Sequence, residues 1–562
     1  MAIAHDGSYD GSNVGARSEW PITIATALVA TAVFAPALAA GFVHDDHRQI
    51  AGNPLVQGLD QLHVLWTTGV WAGAGSGSSW YRPLMMSSFA LDRALFGPGA
   101  LAMHAVSLAA FAALVATVLR AMRRFGVPLG AAVGAALLGA LHPLQVEAAT
   151  WISARCELLV ALFGVAAICL HDRSLAPGAR STRALRVATG LAFFLALAAK
   201  ESAVALAPLF VCVDRLRGAP LRAGALAARH APWIAATLVY LLLRSAALGG
   251  PSGGVLAPVG ALDVAGAFGQ GALRIGWPAS LTIAPPPPAP LHAALGALVA
   301  AAGAAGMVHA WRTRSPRLVP LALGLGMLAV AALGAARLGE VADRYLALPA
   351  FAAAWLVVPA LLHAPRIPRW AGRAALAGAG AAFAWASFHH TMVYANDAVL
   401  WSDAWRKNPR SVRAALNLAA VHLDGGEPRR ALEWLARAAE LAPGDAQIEL
   451  NRAVAEEQLG DAAGARRRLD ALFETNPAYW PAALRAGHLA LAAGDARAAA
   501  QRYEATVRVH PLAAEAWAGL GVARERLGER DAARAAIDRA LALDPAVQNA
   551  DALRALRARL GP

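Results

Sequence analysis

Before residue 395 the sequence is dominated by apolar runs, roughly at 20–40, 98–120, 127–142, 155–171, 184–199, 201–216, 231–249, 290–311, 318–338, 345–362 and 373–393. A helix of about 20 apolar residues crosses a bilayer. Within such a run a helix also satisfies its own backbone hydrogen bonds, which lipid cannot do for it. The reading is an all-α polytopic membrane region, 1–394, with about eleven spans. One apolar stretch is set apart. Residues 261–283 carry Asp263, Gln270 and Arg274, so they are read as a helix lying at the outer surface and ending near the rigid Pro285–Pro288 run. The first run, Trp20 to Gly41, is long for a signal-peptide core and reads as a retained span.

Charge sorts the loops. The formal net charge is +13, which by itself would suit nucleic acid or a membrane surface. From residue 395 onward there are 23 Lys+Arg against 22 Asp+Glu, a balance of +1; the apolar region has 27 against 15, a balance of +12. The excess therefore reports membrane topology, and nucleic acid is excluded as a partner. Arg120/Arg123/Arg124, Arg173/Arg180/Arg183/Arg186, Arg215/Arg217/Arg222/Arg229, Arg312/Arg314/Arg317 and Arg366/Arg369/Arg373 fall in alternate loops. With Arg17 they place the amino terminus in the cytoplasm of a multi-pass plasma (inner) membrane protein. Eleven spans then put residues 395–562 on the extracytoplasmic side. Cys156, Cys169 and Cys212 lie in apolar segments without metal-ligand spacing, so no disulfide framework is implied.

The carboxy-terminal stretch has its own period. Pro409, Pro443, Pro477, Pro511 and Pro545 recur every 34 residues, the tetratricopeptide (TPR) repeat length. Small and apolar residues recur with them where paired helices must approach: Ala431/Ala438, Ala465/Leu472, Ala499/Thr506 and Ala533/Ala540. About four repeats plus a half repeat, Trp401 to Pro409, predict an α-solenoid over 395–562, capped by Asp551–Arg559. Its concave face suits a protein partner or a peptide.

Of nine basic residues that defy the topological bias, most sit in five short motifs at outer span ends, the others being Arg93, Arg244, Arg274 and Arg337. The first is His44-Asp45-Asp46-His47-Arg48, running on to Asn53. The second is Trp80-Tyr81-Arg82-Pro83-Leu84. The third is His142-Pro143 with Glu147, Trp151 and Arg155, spaced to share one face of a helix. Lys200-Glu201 and Asp343-Arg344-Tyr345 complete the set. All lie on one side, so they are placed to converge. Two adjacent carboxylates raise the proton affinity of at least one, and either is suited to act as a general base. Arginine and lysine there suit an anion, with Arg gripping phosphate oxygens in bidentate fashion. Each motif also has a plain structural reading: Arg155 paired with Glu147 or Glu157, Lys200-Glu201 as a solvated turn, Tyr81 and the tryptophans as interfacial anchors. No glycine-rich nucleotide-phosphate loop is present.

Asp45-Asp46, Tyr81-Arg82-Pro83-Leu84, His142-Pro143 with Glu147, Arg155, Lys200-Glu201 and Arg344-Tyr345, in this order and followed by TPR repeats, resemble the transmembrane-and-TPR family of GT-C-fold O-mannosyltransferases and their bacterial relatives. The resemblance implies a polyprenyl-phosphate-linked sugar as donor, inverting transfer, and an acceptor hydroxyl on a protein or glycan. It implies Asp45 or Asp46 as base. Arg48, Tyr81, Arg82, His142, Glu147, Arg155, Lys200, Glu201, Arg344 and Tyr345 would then bind donor phosphate and substrate. No cofactor is required, although the Asp45–Asp46 pair is able to hold a divalent ion. Two departures imply a changed donor or acceptor preference. His44 stands where an aromatic residue precedes the family's acid, and Arg344-Tyr345-Leu346-Ala347-Leu348-Pro349 lacks the family's second tyrosine. The rival readings are a non-enzymatic membrane anchor for a TPR scaffold and a lipid-phosphate transporter.

Overall fold

The computed structural model describes residues 19–74, 80–176, 182–220, 222–249, 259–279, 281–477, 479–544, 547 and 549–561. Arg17, Arg180 and Pro545 lie outside them. Helices and short 3-10 turns make up the secondary structure of the described residues, with no strand among them. Among the described residues, seven helices are long and apolar enough to cross a membrane: Ala100–Arg124, Ile152–Ser174, Thr182–Ala199, Ala223–Ala247, Pro290–Thr313, Leu318–Leu338 and Asp343–Leu362. Leu129–Ala140 and Pro143–Thr150, bent by 60° at the break, make an eighth if counted as one span.

The described residues thus carry seven or eight clear spans against the expected count of about eleven. The other three runs are helical but fall short. Trp20–Ala32 stops after 13 residues and resumes as the 3-10 turn Ala35–Ala39, with Pro36 at the break. Residues 201–216 divide into a 3-10 turn, Glu201–Leu206, and a helix, Ala207–Leu216, with Pro208 in its first turn. Proline cannot donate to the preceding turn, so it divides a run that composition alone reads as continuous. Arg369–Thr391 is long, but Arg369 and Arg373 at one end, His389 and His390 at the other and the glycines between them lower its apolarity.

The stretch expected at the outer surface is seated on the bundle by one face, with Leu262 and Leu273 exposed on the other. Ala261–Gly276 packs against Pro290–Thr313 and Leu318–Leu338. A Cβ on Gly269 would lie 1.9 Å from the His292 carbonyl oxygen, and one on Gly296 the same distance from that of Ala265. Only paired glycines allow two helix backbones this close. Arg274, the charge that argued against burial, is buried with a partner: it donates to Asp343 at 2.9 Å and to the Val341 carbonyl at 2.7 Å.

The basic loops and the polar motifs gather at separate places. Arg124 and Arg217 share the Asp172 carboxylate, Arg123 holds Glu19 at 2.6 Å, and Arg215 donates to the Trp311 carbonyl. Beside them His171, Asp214 and His230 lie close enough to suggest a metal site. The hydrogen bonds argue otherwise. Arg229 holds Asp214 through two nitrogens, at 3.0 and 2.7 Å. Trp233 donates to His230 Nδ1 at 2.7 Å, which leaves the ring proton on Nε2, the atom facing Asp214 at 2.9 Å. A metal at Nε2 would need that proton gone, so the cluster is a polar latch between helix ends.

From residue 412 onward four helix pairs stack: Val412–Asp424 with Pro428–Leu441, Ala446–Gln458 with Ala462–Thr475, Trp480–Ala492 with Ala496–Val509, and Ala514–Arg526 with Arg530–Leu543. Ala550–Arg559 covers the end, burying Leu553 and Leu556. The 34-residue period has a backbone cause. Asn408, Ala442, Asn476 and His510 each precede a repeat proline and sit at φ between −129° and −140° with ψ between 73° and 82°. Proline disfavours helical backbone in the residue before it, so each second helix stops there. Gly426, Gly460, Gly494 and Gly528 turn the chain within each pair at positive φ. The eight small and apolar contact positions read from the sequence are all buried.

Candidate functional site

The acidic loop follows the first apolar segment. His44 takes a left-handed backbone, φ 52°, which costs a residue with a Cβ roughly 1–2 kcal/mol. That bend separates the two acids. Asp46 turns inward and is fully buried. It accepts from the backbone of Val43 at 3.2 Å, from the backbone of Ser153 at 2.9 Å, and from the Ser153 hydroxyl. Burial pushes its pKa up to about 7, against the pull of those three donors. Asp45 turns outward, with 28% of its side chain exposed and His44 Nε2 at 3.6 Å. The pair does not fit a shared divalent ion, because Asp46 has no exposed oxygen to offer.

His44 is enclosed by two tryptophans, Trp151 at 5.6 Å and Trp401 at 5.1 Å between ring centroids. Burial pushes its pKa down, with Asp45 pulling the other way. From Trp151 the contacts continue without a gap. The Arg344 guanidinium lies 5.0 Å over the Trp151 ring and 4.7 Å over Tyr345, and donates to the Tyr345 hydroxyl at 3.1 Å. The Lys200 ammonium lies 4.0 Å from the centre of the same Tyr345 ring. Each cation rests on an acid. Arg344 donates to Glu147 through its backbone, at 2.9 Å, and through its guanidinium. Lys200 pairs with Glu157, and Arg82 forks onto Glu201 at 3.0 and 3.3 Å while covering Trp80 at 4.7 Å. A narrow crevice of about 10 Å³, room for about one water, is lined by Glu157, Arg344 and Tyr345 together with apolar side chains such as Leu158, Met327 and Leu348.

The structure thus joins Asp45, Arg82, Glu147, Lys200, Glu201, Arg344 and Tyr345 in one assembly. Arg48 is exposed and lies 5.5 Å from the Trp71 ring. Three residues stand apart. Arg155 does not share a helix face with Glu147, since extended backbone at Trp151 breaks the helix between them. It pairs with Asp92 at 2.6 Å in the interior, not with Glu147 or Glu157. Tyr81 is buried and donates to the Trp66 carbonyl at 2.7 Å. His142 spends both ring nitrogens on backbone, Nδ1 accepting from Leu144 at 3.2 Å and Nε2 meeting the Ile275 carbonyl at 3.0 Å. Sequence reasoning missed Asp92, Glu157 as the partner of Lys200, Trp401 and Asp397. An N-capping Asn396 before Asp397 was the available signal that a helix starts beside the loop.

A tetratricopeptide repeat family model matches residues 397–446 and 484–547. Over 189 residues, 32% of its length, the chain is 30% identical to a protein O-mannosyl-transferase of Caenorhabditis elegans, and it spans 26% of that protein. It is also 30% identical over 152 residues to the protein O-mannosyl-transferase TMTC3 of Homo sapiens, spanning 16% of it. Among solved structures, MamA from Desulfovibrio magneticus RS-1 aligns with 26% of this chain at 23% identity, covering 88% of that chain with a TM-score of 0.24.

Proposed function

We propose that the chain is a membrane glycosyltransferase that moves a sugar from a polyprenyl-phosphate donor to an acceptor hydroxyl. Transfer takes place on the extracytoplasmic side, with residues 395–562 on that side presenting a protein acceptor or partner. Mannose is the sugar that the names of the similar proteins favour. The observation that carries the reading is the division of labour between adjacent acids. Asp46 holds the loop, while Asp45 is left open to water beside the cation assembly.

Asp45 takes the proton of the acceptor hydroxyl as its oxygen attacks the anomeric carbon. The bond from that carbon to the phosphate oxygen breaks, and the lipid phosphate leaves with the electron pair. Arg344 and Lys200 meet the charge that develops there, already oriented by Glu147 and Glu157 and so needing little reorganisation. Charged and apolar side chains meet at the narrow crevice, Glu157 and Arg344 beside Leu158, Met327 and Leu348, and a lipid-phosphate donor offers both chemistries. A scaffold would need none of this.

The test is sugar transfer by purified variants, with folding checked by gel filtration in detergent. Asp45→Asn should lose about a hundredfold to ten-thousandfold in rate. Transfer by folded Asp45→Asn at the parent rate would return the loop to a solvated helix end and favour the scaffold. A reporter joined at the carboxy terminus should be active only outside the cytoplasm, and a cytoplasmic signal would refute the sidedness.

A further inference from the structure

The loop that carries Asp45 is not held by the membrane region alone. Asp397, the first residue of the helix Asp397–Lys407, reaches it with both carboxylate oxygens. Oδ1 accepts from the His44 backbone at 2.8 Å, and Oδ2 lies 2.7 Å from His47 Nε2. A carboxylate only accepts, so His47 donates from that nitrogen. The two bonds bracket Asp45, one residue before it and two after. The backbone of Gly41 donates to the Ala395 carbonyl at 3.0 Å, and Trp401, one turn along the same helix, closes over the His44 ring. The anchor itself is built firmly. Asn396 caps the helix by accepting from Val399, and a carboxylate in the first turn is favoured by the helix dipole. The far end of the helix is tied down as well, Lys407 donating to the Leu281 carbonyl at 2.7 Å.

From this geometry we infer that Asp397 is a positioning residue for Asp45, so that the first helix of the repeat region completes the transferase site. This rests on the reading of Asp45 as base. The left-handed backbone at His44 is what turns Asp45 outward while Asp46 turns inward. A strained conformation of this kind persists only where its surroundings hold it, and the hydrogen bond from the His44 amide to Asp397 supplies that hold. The repeats are then coupled to chemistry through a single carboxylate.

Two measurements on the full-length protein in detergent test it. Hydrogen exchange over residues 42–53 should quicken in Asp397→Ala and stay close to the parent in Asp397→Asn, whose amide oxygen still accepts from His44. In the transferase assay, Asp397→Ala should lower kcat by roughly tenfold to a hundredfold, up to the lower limit of what general-base catalysis contributes, because the base is misplaced rather than removed. KM for the lipid donor should not change, and Asp397→Asn should recover most of the loss. Asp403→Asn, on the same helix but paired with Arg406 and Lys407, should match the parent in both. Unchanged exchange in Asp397→Ala would overturn the positioning role. Faster exchange with unchanged kcat would overturn its link to catalysis, as would a raised KM alone. A parent that transfers no sugar, but whose loop loosens in Asp397→Ala, would refute the transferase reading and support the positioning.

Discussion

Changing Asp92 to alanine removes the carboxylate from a guanidinium that has nowhere else to go. Arg155 and Asp92 expose 1% and 4% of their side chains. Arg155 also donates to the Ser107 hydroxyl at 3.0 Å, the Ser88 hydroxyl at 3.1 Å and the Met103 carbonyl at 2.8 Å, and it lies 4.9 Å over the Phe89 ring. Those neutral partners solvate the charge without balancing it. Leaving one member of a buried pair unpaired costs about 3–5 kcal/mol, which is roughly two to four orders of magnitude in the folding equilibrium. Exchanging both partners, Asp92→Val with Arg155→Met, removes both charges and nearly keeps their summed volume. It should leave stability within about 1 kcal/mol of the parent or raise it. The Ser107 hydroxyl can then donate to the Met103 carbonyl, four residues before it on the same helix. The assay is chemical denaturation of parent, Asp92→Ala, the two single variants of the exchange and the double variant in one detergent, the last three read with the parent as a double-mutant cycle, with sugar transfer measured beside it. The double variant should transfer sugar within a few-fold of the parent, because Arg155 is sealed from the crevice. Parent-like stability in Asp92→Ala would refute the pairing argument. A double variant that folds but no longer binds donor would return Arg155 to the substrate site.

Two further outcomes follow from particular contacts. Gly269→Ala puts a Cβ against the rigid backbone of the facing helix and should cost about 1–3 kcal/mol or more by overpacking, whereas Gly276→Ala meets open space; equal melting temperatures for the two would contradict the backbone-to-backbone crossing. Asp46 is pushed from its ordinary 3.8 up to about 7 by burial, so the folded chain binds that proton more tightly than the unfolded chain. Its contribution to stability is therefore whole below about pH 4 and is lost as pH rises towards about 7. Asp46→Asn cannot ionise and should remove a decline of at most about 1.4 kcal/mol per pH unit across that window; parallel stability curves for parent and variant would refute it.

Much was legible in the sequence because it is written in short periods. Apolar runs declare helices that can enter a bilayer. A proline every 34 residues declares helix pairs, since each proline acts on the one residue before it. The alternation of arginine-rich and arginine-poor loops anticipated two separate gatherings of loops, because only helices threading back and forth sort them so. Composition could not locate the breaks within apolar runs, and so about eleven spans became seven or eight clear ones. Nor could it foresee that Ala261–Gly276 would bury one face against the bundle, because the partner that makes Arg274 tolerable, Asp343, lies 69 residues away.

The candidate site shows the same boundary more sharply. Order along the chain placed Asp45, Arg82, Lys200 and Arg344 on one side. It could not say that Asp46 turns inward while Asp45 turns outward, that Arg155 belongs to Asp92, or that Asp397 reaches back 353 residues to the loop. Helix and repeat are set by interactions within a few residues, which any stretch of sequence carries with it. The direction of a side chain and the choice of its partner depend on where distant helices end and how closely they pack, and those are decided only when the whole chain has folded.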